Sequence, residues 1–141
     1  MQVADLFRYK NPEIKALHLT WIAFFMTFYV WFNMAPLAAM MLQSEDWLTR
    51  EDIQIFAIAN VALTILARVF VGMALDRWGP RRVFSALLVV MAIPTFVFAF
   101  GDSREVLFVS RLVISCVGAS FVIGIHMTAL WFKPRDIGFA E

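Results

Sequence analysis

Four long apolar runs alternate with short polar segments along the chain. The runs cover residues 17–42, 53–75, 83–101 and 106–132, and each is at least 19 residues long. About 20 helical residues, each rising 1.5 Å, cross a hydrocarbon layer of roughly 30 Å. The pattern therefore predicts four membrane-spanning helices that follow a polar segment at residues 1–16.

The connections between these runs are short and polar. They read "QSEDWLTRED", "DRWGPRR" and "GDSRE", so we expect the helices to pack as antiparallel neighbours. Pro36 and Pro94 lie inside the first and third runs, where neighbouring helices in a membrane can compensate the lost hydrogen bonds. We therefore predict kinks rather than breaks there, in an all-α, multi-pass helical bundle.

Composition supports a membrane protein and excludes several other classes. The chain is 62% hydrophobic and 16% charged, whereas soluble domains are roughly 25% charged. The net charge of +1 comes from basic residues in loops beside apolar runs, which gives no indication of nucleic-acid binding. Cys116 is the single cysteine, so an intrachain disulfide is excluded. We see no metal-ligand cluster and no nucleophile with a base, and we expect neither an enzyme nor a cofactor.

The distribution of Lys and Arg outside the runs predicts the orientation in the membrane. Two of these residues, Arg50 and Arg104, fall on one side. Eight fall on the other side, namely Arg8, Lys10, Lys15, Arg77, Arg81, Arg82, Lys133 and Arg135. This asymmetry predicts a cytoplasmic N-terminus in a plasma membrane, the inner membrane of a bacterium. The first apolar run is longer than the h-region of a signal peptide, so we expect no cleaved leader.

Arg68 is the most unusual residue because it lies deep inside the second run. It is eight residues, or about 12 Å of helix, from Asp76 at the predicted cytoplasmic end. A charge at that depth costs from a few to more than ten kcal/mol unless it faces protein or water. One helix face is small and polar, and the opposite face is predicted to suit lipid. The first face carries Asn60, Thr64, Arg68 and Gly72, with Ala57 and Val61 beside them, and the opposite face carries Ala59, Leu63, Leu66, Phe70 and Met73.

Two interpretations of Arg68 can be compared. A guanidinium is a flat fork of donors that matches a planar oxyanion, which favours an anion site in a transport pathway. A structural role would instead require a carboxylate partner within the bundle. No Asp or Glu occurs inside the four predicted runs, so the sequence favours the anion site.

Other polar residues inside the runs are weaker candidates for contact with a substrate. Arg111 lies about five residues from the external end of its helix, where it can reach the interface, and its role is either in the pathway or in packing. His126 can titrate, touch substrate or donate a hydrogen bond to a neighbouring helix. Asn33 and Thr64 could each add a hydrogen bond. The aromatic residues of the first run are predicted to face lipid or fill the core, and Ser115, Gly118, Ala119 and Gly124 are predicted to form a close helix contact.

The second connection carries a specific local pattern. Gly72 allows close helix approach, Asp76 ends the helix with a negative charge, and Gly79 with Pro80 predicts a tight turn. Arg77, Arg81 and Arg82 supply positive charge. These residues either mark only a cytoplasmic turn or form a charge cluster that holds neighbouring helices in one arrangement and releases them in another.

The pattern Gly72-x-x-x-Asp76-Arg77-x-Gly79-x-Arg81-Arg82 resembles, position for position, the loop motif between helices two and three of the major facilitator superfamily. Within it the chain is similar to the nitrate/nitrite porter family, through "APL" at 35–37, Arg68, and "RLVISCVGASFVIGIHMTALWF" with "KPRDIGFAE" at 111–141. One departure is Ser115, which stands where the superfamily has glycine four residues after the arginine of helix four.

This resemblance implies a twelve-helix secondary transporter that moves nitrate or nitrite by alternating access between two six-helix halves. Residues 17–141 would then be helices one to four, partnered by the lipid bilayer and by absent C-terminal helices. The resemblance implies that Arg68 grips the anion and that the Gly72 to Arg82 motif contributes to a cytoplasmic gate. Two alternatives remain open: a transporter of another small, organic anion, and a stand-alone four-helix subunit or scaffold without transport activity.

Overall fold

The computed structural model describes residues 10–133 and Gly138. Arg8 and Arg135, which contribute to the predicted orientation, lie outside the described residues. The first span consists of α1 (Pro12–Phe32) and α2 (Met34–Ser44), and the second of α3 (Arg50–Ala62) and α4 (Thr64–Trp78). The third is α5 (Pro80–Ala99), and the fourth joins α6 (Arg104–Ile114), a 3-10 segment (Ser115–Ala119) and α7 (Ser120–Trp131).

All four predicted spans are present, each long and apolar enough to cross a membrane within the described residues. They begin two to five residues earlier than the apolar runs suggested. The predicted polar segment 1–16 therefore overlaps the start of α1, because Pro12 is well suited to the first turn of a helix and Asn11 precedes it as the cap.

Local signals in the sequence explain the ends of several helices. At the start of α3, the Asp52 backbone donates to Thr49 Oγ1 at 3.2 Å and the Thr49 backbone donates to Asp52 Oδ2 at 3.0 Å, which is a capping box. Gly79 has a φ of 76° and is the single residue between α4 and α5. The predicted tight turn at Gly79 and Pro80 is confirmed, because only glycine adopts this backbone geometry readily.

Three of the spans are interrupted. The first is interrupted at Asn33, three residues before Pro36, whose ring crowds the carbonyl of Phe32 and which has no N–H to donate to it. The uninterrupted span is α5, although it contains Pro94. Asn33 keeps helical backbone angles, and Pro12–Ser44 is still one span. Neither proline therefore breaks its span, as predicted.

The interruptions in the second and fourth spans were not predicted, and they lie against each other. The backbone N–H of Leu63, between α3 and α4, donates to Ser115 Oγ at 3.1 Å. Thr64 Oγ1 donates to the Ser115 carbonyl at 2.8 Å. Ser115 begins the 3-10 segment. The Ser115 and Thr64 hydroxyls therefore each satisfy one backbone group of the opposite interruption, as irregular backbone in a membrane requires.

The fourth span is the centre of the described bundle. Of its apolar stretch 56% is buried, against 11%, 28% and 22% for the first three spans. Its α6 packs between α3 and α5, its 3-10 segment lies against α4 and α1, and α7 contacts α1, α4 and α5. The first three spans consequently leave broad apolar faces exposed, including Ile65, Val89 and Phe96.

Each end of the bundle is closed by different chemistry. At one end Arg104, the first residue of α6, forms an ion pair with Asp52 at 2.5 Å. At the other end a cavity is lined by the start of α1, the turn at Gly79 and the end of α7. Lys15, Arg81 and Arg82, three of the eight basic residues predicted to share one membrane side, lie around this cavity.

Candidate functional site around Arg68

Arg68 lies in the middle of the second span with most of its hydrogen-bonding capacity free. It is ten residues before Trp78, which ends α4, or about 15 Å of helix. Its Nε donates to the Gly118 carbonyl at 3.5 Å, and its guanidinium carbon lies 5.8 Å from the centre of the Phe121 ring. Its side chain is otherwise exposed, and within residues 10–133 neither Nη group has a hydrogen bond or an ion pair.

These contacts fix one edge of the guanidinium and leave the other available. An arginine presents five N–H donors in a planar fork, and the Nε donor is the one used here. The four N–H groups of the two Nη atoms remain for a ligand. No carboxylate pairs with Arg68 among the described residues.

Arg68 is held beside a hydrogen-bonded contact between three spans, which we call the junction. Its members are Trp31, Asn60, Leu63, Thr64, Ser115 and Gly118. Trp31 Nε1 donates to the Asn60 carbonyl at 2.7 Å, and Asn60 Nδ2 donates back to the Trp31 carbonyl at 2.9 Å. This reciprocal pair joins the first and second spans, while Ser115 joins the second and fourth.

The junction uses Thr64, which the sequence made a candidate for substrate contact. Its hydroxyl donates to the Ser115 carbonyl and its side chain is buried, so it contributes to packing one turn before Arg68. Asn60 is likewise buried. The polar face predicted from the sequence is therefore split: Asn60 and Thr64 form helix contacts, and Arg68 remains exposed.

The predicted lipid face is correct for part of the second span and wrong for Ala59. Leu66, Phe70 and Met73 are exposed as expected, but Ala59 is only 3% exposed. Buried and half-buried positions follow one another at intervals of three or four residues on both sides of Leu63, so one helical face continues through it. Ala59 lies at the edge of that buried face.

Arg111 is enclosed by the described helices and does not extend to the interface. It is 1% exposed, and its guanidinium carbon lies 4.4 Å from the centre of the Phe98 ring on α5, a close cation–π contact. Its Nε and Nη1 have no hydrogen-bond partner among the described residues. The side chain therefore does not reach the interface, which its position along the helix had allowed, because the packing of α6 against α3 and α5 covers it.

Asn33 and His126 do not contact Arg68. Asn33 is the residue between α1 and α2, and its Oδ1 is buried without a hydrogen-bond partner among the described residues. His126 is half-buried on α7 and forms no hydrogen bond within residues 10–133. The structure thus brings together Arg68 and Thr64, and leaves the other three candidates in separate surroundings.

The charged residues of the second connection are exposed. Asp76, Arg77, Arg81 and Arg82 all have exposed side chains, and no ion pair joins Asp76 to these arginines within the described part of the chain. Gly72 has no atom within 4 Å of an added Cβ, so the close helix approach expected there is not made by a described residue. The cluster is free for contact with other elements.

The sequence did not single out two aromatic residues that lie at the site. Trp31 and Phe121 stand next to Arg68 or the junction, but both lie in strongly apolar stretches where periodicity does not single them out. Four other rings of the first span are more than half exposed, and these are Trp21, Phe25, Tyr29 and Phe32. The close contact predicted for the fourth span is confirmed by buried Ser115, Gly118 and Ala119.

Comparison with known proteins gives one family and consistent relatives. Residues 20–140 match the family model of the Major Facilitator Superfamily. The chain is 46% identical over 131 residues to the nitrate/nitrite transporter NrtP of Picosynechococcus, and 45% identical over 131 residues to NrtP of Nostoc punctiforme. Each alignment covers 93% of this chain, and 24% and 26% of the respective relatives.

A more distant relative is the probable nitrate/nitrite antiporter NarK1 of Thermus thermophilus, which is 30% identical over 139 residues, 97% of this chain and 31% of that protein. No solved structure matches. The chain thus spans about a quarter of the length of the first two relatives. Because the family match covers residues 20–140 and the four spans agree with it, the chain belongs to the major facilitator superfamily.

Proposed function

We propose that the chain forms the first four helices of a secondary transporter that carries nitrate and nitrite across a bacterial inner membrane by alternating access. The observation that carries this proposal is the Arg68 guanidinium. It lies at the middle of a span, anchored through Nε alone, with both Nη groups unpaired among the described residues. Nitrate is planar and singly charged, so two parallel N–H donors of such a fork match two of its oxygens.

The names of the relatives support this substrate. Two relatives at 46% and 45% identity are nitrate/nitrite transporters, and a third is a probable nitrate/nitrite antiporter. The chain covers a quarter to a third of their lengths. In the whole protein, the exposed apolar faces of the first three spans would therefore contact lipid and the remaining helices.

The orientation and the gate belong to the same proposal. Lys15, Arg81 and Arg82 surround one end of the bundle, which by the positive-inside rule is cytoplasmic. The N-terminus then lies in the cytoplasm. Asp76 and the neighbouring arginines, being exposed and unpaired within the described residues, would contact the remaining helices and hold the cytoplasmic side closed in one of the two states.

The proposal can be tested in a chimera that joins this chain to the remaining three-quarters of Picosynechococcus NrtP. Uptake of labelled nitrate would be measured in a bacterial strain that lacks nitrate transporters. We expect saturable uptake that unlabelled nitrite competes away. A matched chimera with Arg68→Gln should be inserted equally well and show no saturable uptake.

Different outcomes separate the alternatives. Uptake that formate or acetate inhibits more strongly than nitrite would favour a transporter of organic anions. A chimera present in the membrane at the level of NrtP but without anion uptake would overturn the transport proposal, and would favour a subunit or scaffold.

A further inference from the structure

Gly118 makes the tightest contact in the junction. It lies in the buried 3-10 segment of the fourth span. A Cβ added to it would lie 2.6 Å from Thr64 Cγ2 and 2.9 Å from two ring atoms of Trp31, Cζ2 and Cη2. Separations this short are far inside van der Waals contact, so a side chain at this position requires something to move.

The two neighbours are held and cannot easily yield. Thr64 is fixed by its hydrogen bond to the Ser115 carbonyl at 2.8 Å, and as a β-branched residue it has few alternative rotamers in a helix. Trp31 is fixed by its reciprocal hydrogen bonds with Asn60, at 2.7 and 2.9 Å. A side chain at residue 118 would therefore displace the backbone of the 3-10 segment.

That backbone carries the contact that orients Arg68. The Gly118 carbonyl accepts the hydrogen bond from Arg68 Nε at 3.5 Å, which is at the long end of hydrogen bonding. A shift of the segment by a few tenths of an ångström away from α4 would break it. Phe121, which lies 5.8 Å from the Arg68 guanidinium carbon, is three residues further along the same span and would move with it.

We propose that Gly118 is a positioning residue for Arg68. Its missing side chain lets the second and fourth spans approach, and its carbonyl fixes Nε so that the two Nη groups are presented to the anion. This inference rests on the proposed function where transport is measured, and it extends that function to a residue which does not itself touch the anion.

The transport experiment uses Gly118→Ala in the NrtP chimera. We expect the KM for nitrate to rise about tenfold, the factor that ~1.4 kcal/mol of binding energy represents, while the maximal rate per inserted molecule changes much less. Gly124→Ala is the matched control on the same span, because its added Cβ would meet Phe24 Cδ2 at 3.6 Å, an ordinary contact. It should leave the KM unchanged.

Two further variants separate positioning from general damage to the fold. Thr64→Ser removes Cγ2 and keeps the hydroxyl for the Ser115 carbonyl, so adding it to Gly118→Ala should restore part of the KM. It also provides an assayable variant if Gly118→Ala alone is not inserted. In an Arg68→Lys background, Gly118→Ala should raise the KM by less than it does beside arginine, because residues that act through one another are not additive.

A readout independent of transport measures the position of Arg68 directly. Phenylglyoxal modifies guanidinium groups, and peptide mass spectrometry gives the rate at Arg68 relative to exposed Arg77 in the same molecules. The reagent adds across the two Nη groups, so its rate depends on where they lie. We expect Gly118→Ala to change this ratio because the guanidinium is no longer held beside residue 118, and Gly124→Ala to leave it unchanged.

An unchanged modification ratio in Gly118→Ala would overturn the inference, as would fully additive effects on the KM with Arg68→Lys. Loss of transport in the unaltered chimera would instead count against the proposed function, and the modification ratio would still decide the role of Gly118.

Discussion

Replacing Arg68 by lysine separates the shape of the guanidinium from its charge. Lysine keeps the positive charge but has a single rotating ammonium group in place of the planar fork. It cannot reproduce the Nε contact with Gly118 while also presenting two parallel donors to an anion. The substitution therefore removes about one charge-assisted hydrogen bond to a bound nitrate.

The size of the effect follows from that loss. A hydrogen bond to a charged group contributes about 1.5–3 kcal/mol, which corresponds to a rise in the KM of about 10- to 150-fold. The contact with Phe121 at 5.8 Å is a long cation–π interaction that lysine partly retains, and it is worth about 0.5–1 kcal/mol at an exposed site. The fork therefore dominates the expected change.

Concentration-dependent uptake of labelled nitrate in the NrtP chimera measures this effect. Arg50→Lys is the matched control, because Arg50 is exposed at the start of α3 and has no hydrogen bond or ion pair within residues 10–133. We expect a large rise in the KM for Arg68→Lys and none for Arg50→Lys. A KM for Arg68→Lys within about twofold of the unaltered chimera, equivalent to ~0.4 kcal/mol, would refute bidentate binding.

Three further predictions concern the rest of the chain. Asp52→Ala should lower the melting temperature of the chimera more than Arg104→Ala, because the Asp52 carboxylate also accepts hydrogen bonds from the Thr49 backbone N–H and hydroxyl in the capping box, each worth about 1 kcal/mol; equal shifts in scanning fluorimetry would contradict this. Arg111→Met should leave the KM for nitrate unchanged, since Arg111 is 1% exposed and enclosed; a higher KM in uptake assays would assign it to the pathway. The 141-residue chain alone should accumulate no labelled nitrate in liposomes, because its apolar faces need partners, and accumulation would overturn that expectation.

The spans could be predicted from the sequence because the signal is local. Each apolar run has the length that a bilayer requires, and the turn at Gly79 and Pro80 is encoded by two adjacent residues whose backbone preferences are known. The start of α1 was predicted less accurately. Glu13 is polar and proline often ends a helix, so the sequence suggested that both residues precede the span, yet both are well suited to the first turn of a helix.

The interruptions at Leu63 and at Ser115 to Ala119 could not be predicted because they depend on each other. Ser115 Oγ accepts from the Leu63 backbone, and the two residues are 52 positions apart in the sequence. Neither stretch contains a proline from which an interruption could be predicted.

The site itself was only partly predictable. Arg68 stood out because a charge inside an apolar run is costly, and that argument needs no structure. Gly118 was predicted only as part of a close helix contact and Trp31 only as one aromatic residue of the first run, because their position beside Arg68 comes from a contact between different spans. The surroundings of Arg111 could not be predicted for the same reason: its position along the helix allowed it to reach the interface, but Phe98 on α5 packs against the side chain.

The contrast between the two arginines inside the spans supports the proposal that Arg68 meets the anion. Arg111 is covered by helices that the structure describes, whereas the Arg68 side chain is exposed. Arg68 is exposed on a face that cannot be turned to hydrocarbon, because an unpaired arginine at the middle of a span costs several kcal/mol there. That face must therefore meet protein or water in the whole transporter, and the junction at Gly118 holds the guanidinium towards it. Under the proposed function, the packing that joins the spans at the junction is the packing that would present the Arg68 fork to the anion.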